Sequence, residues 1–265
     1  MKLGYCLPDF EQYGIKRPIL TDLVRCPHTL ISGKSGSGKS QTFLWYAYQM
    51  LMEKESWLYF SDFKGGKEYG QLRGNHAYAY ADQAVQMIYD YYEVYTKFRK
   101  EADPACPHLT LAVEEWSGLL NYIESKDKKQ KADLMGKVGE MLALGRGIGN
   151  GIGIALMVQR ADSSNFSAGS REQFQNIVSF GRCSKEQKQM LFPDYETEKM
   201  RNFSAGQGIA LVDGQGEAEE IIVPWIPEQD RLLERIREKL KEQPKLSQLK
   251  ELYERNRTRR QTSQH

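Results

Sequence analysis

The sequence predicts an α/β fold: a mostly parallel sheet flanked by helices, with a short helical appendage at the carboxyl end. Three observations carry this. Short apolar or β-branched runs alternate with longer amphipathic ones along most of the 265 residues, the pattern of strand–helix–strand units. The first such pair is HTLIS (28–32) and the run from Ser40 to about Lys54, joined by a glycine- and serine-rich loop. After Pro227 the composition shifts to a charged stretch with helical periodicity.

The elements follow in order. In the first helix Phe43, Leu44, Ala47, Met50 and Leu51 share one face. WLYFSD (57–62) is a second strand, ending before Gly65-Gly66. Residues 82–100 place Val85, Ile88, Tyr92, Tyr95 and Phe98 at helical spacing, an aromatic stripe that reads as core packing. LTLAV (109–113) is a buried-type strand leading into Glu114-Glu115, and 131–144 is a helix ending at Gly145. GIGIALMV (151–158) is another buried strand, closed by Gln159-Arg160 and followed by the polar loop ADSSNFSAGS (161–170). NIVSF (176–180) and GIALVD (208–213) complete the expected strands. Residues 1–227 form the expected globular domain, and 228–265 the charged appendage with a basic end at Arg255, Arg257, Arg259 and Arg260.

Composition excludes little but is informative. The chain is long enough to bury a core without a disulfide or metal staple. A formal charge of +2 and a pI near 8.2 neither demand nor forbid a nucleic-acid face. Cys6, Cys26, Cys106 and Cys183 are scattered without a C-x-x-C pair, and the four histidines add no zinc spacing; this suits reduced thiols in a cytosolic protein. MKLGYCLPDF lacks an apolar signal core, and no run approaches the roughly 18–20 apolar residues of a membrane span. The expectation is a cytoplasmic protein with no transmembrane segment of its own, recruited to a membrane only by a partner.

Gly33-Lys34-Ser35-Gly36-Ser37-Gly38-Lys39-Ser40 satisfies G-x-x-x-x-G-K-[ST] in full. Its glycines let successive backbone N–H groups point inward at phosphate oxygens, and the following helix, from Ser40 and Gln41, turns its N-terminal dipole on the same anion. Lys39 is expected on the β- and γ-phosphates of ATP and the Ser40 hydroxyl on Mg²⁺. The apolar strand ending in two acids supplies the other half of a hydrolytic site. Glu114 is assigned to the metal, although Asp is usual there, and Glu115 to the attacking water. The intervening strand WLYFSD suits a RecA-like P-loop NTPase core. Gln159, ending the next strand, is placed to touch both γ-phosphate and water. Arg146, Arg160, Arg171 and Arg182 are candidates for completing a neighbouring subunit's site, Arg146 first; such an arginine can contribute ~10³–10⁵ in rate.

Several stretches together resemble the FtsK/SpoIIIE branch of the FtsK–HerA DNA-pumping ATPases. They are LTDLVRCPHTLISGKSGSGKS, WLYFSDFKGGKEYGQL with its Asp62-x-Lys64 turn, LAVEEWSGLL, and GRGIGNGIGIALMVQR. The resemblance covers about residues 17–225. It departs at Glu114 and in the spacing from Arg146 to its strand, which is about two residues longer than the family pattern. It implies a DNA-stimulated ATPase that moves double-stranded DNA, as a homo-oligomeric ring commonly of six with ATP sites between subunits. With no membrane-spanning or winged-helix segment in the sequence, the expected relatives are compact motors of plasmids, phages and conjugative elements. Partners would include a relaxase, a replication protein or a secretion apparatus. Lys126, Lys128, Lys129 and Lys131 are candidate phosphate contacts of the channel, as is the loop 161–170.

Two other readings compete. A nucleotide-switched adaptor would recruit a DNA-processing protein to a secretion or replication apparatus, docking through the appendage after Pro227. A small-molecule kinase fits less well, because paired acids suit attack by water.

Overall fold

The computed structural model describes residues 1–52, 56–101, 107–193, 201–249 and 251. Its strands are β1 (Lys2–Cys6), β2 (Pro18–Leu20), β3 (Thr29–Gly33), β4 (Ser56–Asp62), β5 (Tyr78–Tyr80), β6 (His108–Glu114), β7 (Ile152–Val158), β8 (Asn176–Phe180), β9 (Gln207–Val212) and β10 (Glu219–Ile222). The helices are α1 (Leu7–Tyr13), α2 (Lys39–Met52), α3 (Asp82–Glu101), α4 (Trp116–Lys126), α5 (Lys128–Leu144), α6 (Lys185–Leu191) and α7 (Gln229–Glu242).

All ten strands join one sheet in the order β2-β1-β10-β9-β8-β3-β7-β6-β4-β5. From β8 to β5 the pairing is parallel; from β8 to β2 it is antiparallel. Every residue of β3, β6, β7 and β8 is buried, which accounts for their near-continuous apolar sequence: both faces of the sheet are covered. Under α2 the core is aromatic, with Phe43 4.6 Å from Phe60 and Phe60 edge-on to Tyr69 at 4.8 Å between ring centroids. In α3, Ile88, Tyr91, Tyr95 and Phe98 are buried, and the Tyr91 hydroxyl donates to Gly153 O at 3.0 Å.

Four strands go beyond the sequence expectation. β2 and β5 have three residues each, too few for an alternation to register. β10 opens on Glu219 and Glu220 and so carries no apolar run. β1 contains Gly4, where an added Cβ would come within 2.9 Å of Ile221 Cβ; this strand depends on close backbone approach, not on a side-chain pattern.

Two boundaries are also corrected. The helix expected over 131–144 begins at Lys128, because Asp127 caps it by accepting the Lys129 N–H at 2.8 Å. The loop 161–170 contains a short 3-10 turn, Ser163–Asn165, and is anchored by buried Asn165, Phe166 and Ser170.

Beyond Pro227 the chain packs back. Leu233, Ile236 and Leu240 lie on one stripe of α7 and are buried, the helix lying against α2 and the 3-10 turn Lys67–Leu72. The Gln243 side chain then brackets β4, accepting the Leu58 N–H at 3.1 Å and donating to Leu58 O at 2.5 Å. Arg255, Arg257, Arg259, Arg260 and Cys106 lie outside the described residues; Cys6, Cys26 and Cys183 are free thiols. Among the described residues no helix is long and apolar enough to cross a membrane.

Candidate functional site

Parallel pairing sends the carboxyl ends of β3, β7 and β6 to one edge of the sheet, in that spatial order. The chain reverses its direction of winding there, since β3 has β7 on one side and β8 on the other, and ligands of open α/β sheets bind at such a crevice. The Gly33–Ser40 loop follows β3, Glu114 and Glu115 follow or end β6, and Gln159 follows β7 between them. A cleft of about 500 Å³ opens at this edge, within the ~300–1,000 Å³ of small-molecule sites.

The loop is held from behind. Gly38 has φ +98°, and a Cβ there would lie 2.8 Å from Gly206 N, so only glycine fits. Gly206 N–H donates to Ser37 O at 2.9 Å, and Gly206 O accepts the Val223 N–H at 2.8 Å. Ser37 is buried, whereas Lys34, Ser35 and Gly36 are exposed. The Lys39 ammonium is folded onto the loop's own carbonyls, donating to Gly33 O and, at 3.0 Å, to Lys34 O. Burial lowers its pKa, against the opposing pull of Glu115 and Glu114.

Ser40 Oγ donates to Glu114 Oε1 at 3.1 Å. Glu114 is buried, and its Oε2 has no hydrogen-bond partner. Burial, helped by the neighbouring Asp62, pushes its carboxyl up to about 7. Asp62 sits opposite in register on β4 and accepts from the Tyr78 hydroxyl at 2.7 Å. The buried Tyr69 hydroxyl is close enough to Glu114 and Ser40 to act on them electrostatically, yet is in hydrogen-bond geometry with neither.

The donors fit a hard dication. A hydroxyl and a carboxylate stand side by side, and one buried carboxylate oxygen is unspent. Among the described residues no cluster of three metal-ligating His, Cys, Asp or Glu side chains occurs; Mg²⁺ typically takes one or two carboxylates plus phosphates and water.

Glu115 has φ +54°, a left-handed conformation that costs a residue with a Cβ about 1–2 kcal/mol. That turn, between β6 and α4, swings its carboxylate towards Gln159, whose Nε2 donates to Glu115 Oε1 at 3.0 Å. Trp116 Nε1 donates to Asn165 O at 2.8 Å, and Asn165 Nδ2 donates to Ser117 Oγ at 3.0 Å. Glu115 is thereby bonded to the residue after β7, and the Trp116-Ser117 segment that follows it to the loop beyond β7.

Not every expected residue gathers here. Arg146 precedes β7 and lies at the opposite edge of the sheet, exposed, 3.5 Å from Asp213. Arg160 pairs with Asp162 at 3.2 Å, and Arg171 donates to Ala161 O at 3.2 Å. Arg182 is exposed, two residues past β8 and next to Gly181, which lies against Ser37 of the phosphate loop. Lys126 is bonded to the Tyr122 hydroxyl, and Lys131 is half-buried against Glu124 at 2.6 Å. Lys128 and Lys129 are exposed in the first turn of α5 and make no ion pair among the described residues.

Conversely, the cleft includes residues that motif reading did not assign to it: Lys64, Gly206, Val223 and Trp225. Lys64 had a signal in its Asp62-x-Lys64 turn, and it pairs with Glu68 at 2.7 Å. The others reach the cleft only through sheet pairing that no local pattern announces. Gln41 donates from Nε2 to Ile226 O at 3.3 Å, tying this segment to α2.

No protein-family model matches the chain, and no curated protein matches it significantly. Solved structures do. The conjugation coupling protein TcpA of pCW3, solved as a monomer with ATPγS, superposes with a TM-score of 0.61 at 16% identity over 82% of this chain and 67% of its own. The cytoplasmic domain of the type VII secretion ATPase EccC of Thermomonospora curvata gives 0.64 at 17% identity over 92% of this chain. This chain spans only 31% of that one. The genome packaging NTPase B204 of Sulfolobus turreted icosahedral virus 2, with ATPγS, gives 0.51 at 14% identity over 74% of this chain and 97% of its own. The neighbours are FtsK/HerA-type P-loop ATPases; at such identities what this chain shares with them is the fold, a mostly parallel sheet flanked by helices of the RecA-like kind.

Proposed function

We propose that this chain is an ATPase motor that hydrolyses ATP in the cleft and uses the cycle to move double-stranded DNA. The observation that carries this is the placing of the Glu115 carboxylate, fixed by Gln159, in the same cleft as Lys39 and Ser40. The N–H groups of the Gly33–Ser40 loop and the start of α2 hold the triphosphate. Lys39 exchanges its contacts to Gly33 O and Lys34 O for phosphate oxygens. Glu115 orients a water and takes up its proton as the water attacks the γ-phosphate. Mg²⁺, held by Ser40 and Glu114, would supply charge neutralisation for the phosphates. Gln159 fixes the Glu115 carboxylate, and the bonds at Trp116 and Ser117 carry a shift of Glu115 to the 163–165 turn.

Copies of the chain form a ring, commonly of six, with DNA in its channel. Exposed Lys128 and Lys129 grip phosphates without reading sequence. Arg146, remote from its own cleft, acts on the cleft of a neighbouring copy. Fold neighbours that include a conjugation coupling protein, secretion ATPases and a packaging NTPase support a setting in DNA transfer, segregation or replication of a mobile element. A relaxase, replication or secretion-apparatus protein is the proposed partner there. The adaptor reading loses support because the apolar stripe of α7 is already buried on α2.

The test is ATP hydrolysis with and without long linear duplex, with particle mass measured under both conditions. A several-fold stimulation that fades steeply with salt, together with assembly, supports a motor. Hydrolysis indifferent to DNA at every salt concentration refutes it.

A further inference from the structure

Trp225 is the most exposed large apolar side chain among the described residues, at 78%. Core packing does not explain it: Trp116, by contrast, is only 1% exposed. The indole stands at the rim of the cleft whose floor is the phosphate loop, with Gln41 and Thr42 of α2 also in the lining.

Its backbone is fixed relative to that loop. Val223 N–H donates to Gly206 O, and Gly206 N–H donates to Ser37 O inside the loop itself. One residue past the indole, Ile226 O accepts from Gln41 Nε2 at 3.3 Å. Pro224 restricts the backbone between these ties. The backbone that carries the indole is therefore held beside the phosphate loop, with the distance between them set by hydrogen bonds. A ligand carrying phosphates at one end and a flat heteroaromatic ring at the other matches that arrangement.

We propose that Trp225 is the platform on which the base of the bound nucleotide stacks. This rests on the reading of the cleft as a nucleoside triphosphate site. Stacking uses the π-face of the base and not its hydrogen-bonding edges, so it favours nucleotides over bare polyphosphates and tolerates different purines.

The test is calorimetric titration of the full chain and of Trp225→Ala and Trp225→Phe, each with Mg-ATP, Mg-GTP and inorganic tripolyphosphate. Because the indole is exposed, both variants should fold, and melting curves check it. Trp225→Ala should bind ATP and GTP about 5- to 100-fold more weakly. Trp225→Phe should stay within about threefold, since it keeps a ring. Tripolyphosphate should bind all three proteins alike. ATP affinity unchanged in Trp225→Ala overturns the proposal, as does an equal loss for tripolyphosphate. Unchanged affinity with altered DNA stimulation or particle mass also overturns it, placing the indole at a contact with DNA or another copy. A wild-type chain that binds neither ATP nor tripolyphosphate defeats the nucleotide-site reading itself, a different result from binding that ignores the indole.

Discussion

Gln159 Nε2 lies 3.0 Å from Glu115 Oε1, joining the residue after β7 to the residue after β6. The contact exists because β7 is inserted between the phosphate-loop strand and β6. It makes Gln159 a positioning residue for the carboxylate before any nucleotide arrives. Replacing it by alanine should lower kcat about 10- to 100-fold, since small misplacements of a catalytic group act on that scale. ATP affinity should stay within about twofold. A Gln159→Ala enzyme with unchanged kcat contradicts the assigned role.

Glu115 holds a left-handed backbone that asparagine adopts more readily. Glu115→Asn should therefore gain about 0.5–1 kcal/mol in stability while losing hydrolysis, a trade expected where strain serves function. Denaturant unfolding together with steady-state ATPase assays checks both halves. Lower stability in the variant rejects the strain account.

The packing of α7 gives a measurable prediction about the appendage. Ile236 is 1% exposed, so Ile236→Ala should cost about 2–4 kcal/mol of unfolding free energy. The loss should appear in the single transition of the whole molecule, because α7 closes over α2 and Gln243 ties it to β4. An early, separate transition for the carboxyl-terminal part runs against this.

His28 sets a pH dependence. Burial, aided by the nearby His108 and Arg146 charges, lowers its imidazole from 6.5 to about 3, and its Nδ1 accepts the Ile154 N–H at 3.2 Å. The folded ring stays neutral where the unfolded one charges, so its stabilisation is full above pH 6.5 and falls as the pH drops. Glu114, raised to about 7, has the opposite sign: its contribution is complete below pH 4.5 and is lost as the pH rises through 7. Comparison with His28→Asn, which keeps an acceptor but does not titrate, isolates the histidine. Wild type should lose about 2–3 kcal/mol relative to the variant between pH 6.5 and 4.5. Parallel stability curves would show that His28 titrates normally.

Part of this site is legible in the sequence. The phosphate loop, the paired acids and Gln159 sit at the ends of long apolar strands, and each strand is buried on both faces, so local pattern and tertiary position agree. The neighbours of the cleft are less visible. Gly206 comes from the turn before β9 and Trp225 from the stretch after β10, and their place depends on β9 pairing with β8 and β10 with β9, long-range events without local periodicity. The α7 stripe at Leu233, Ile236 and Leu240 was readable as amphipathic, but nothing in its spacing named α2 as its partner. The lysine cluster shows the reverse problem: four lysines within six residues look equivalent, yet Lys126 and Lys131 are occupied by Tyr122 and Glu124.

The most direct measurement is a single-turnover assay, mixing excess protein with labelled ATP and Mg²⁺ in the presence of duplex DNA. Wild type should bind ATP and release phosphate. Glu115→Gln should bind with similar affinity but cleave at least about 100-fold more slowly, and Lys39→Ala should fail to retain ATP. Cleavage by Glu115→Gln at the wild-type rate, or a wild-type chain that neither holds nor cleaves ATP, would contradict the account.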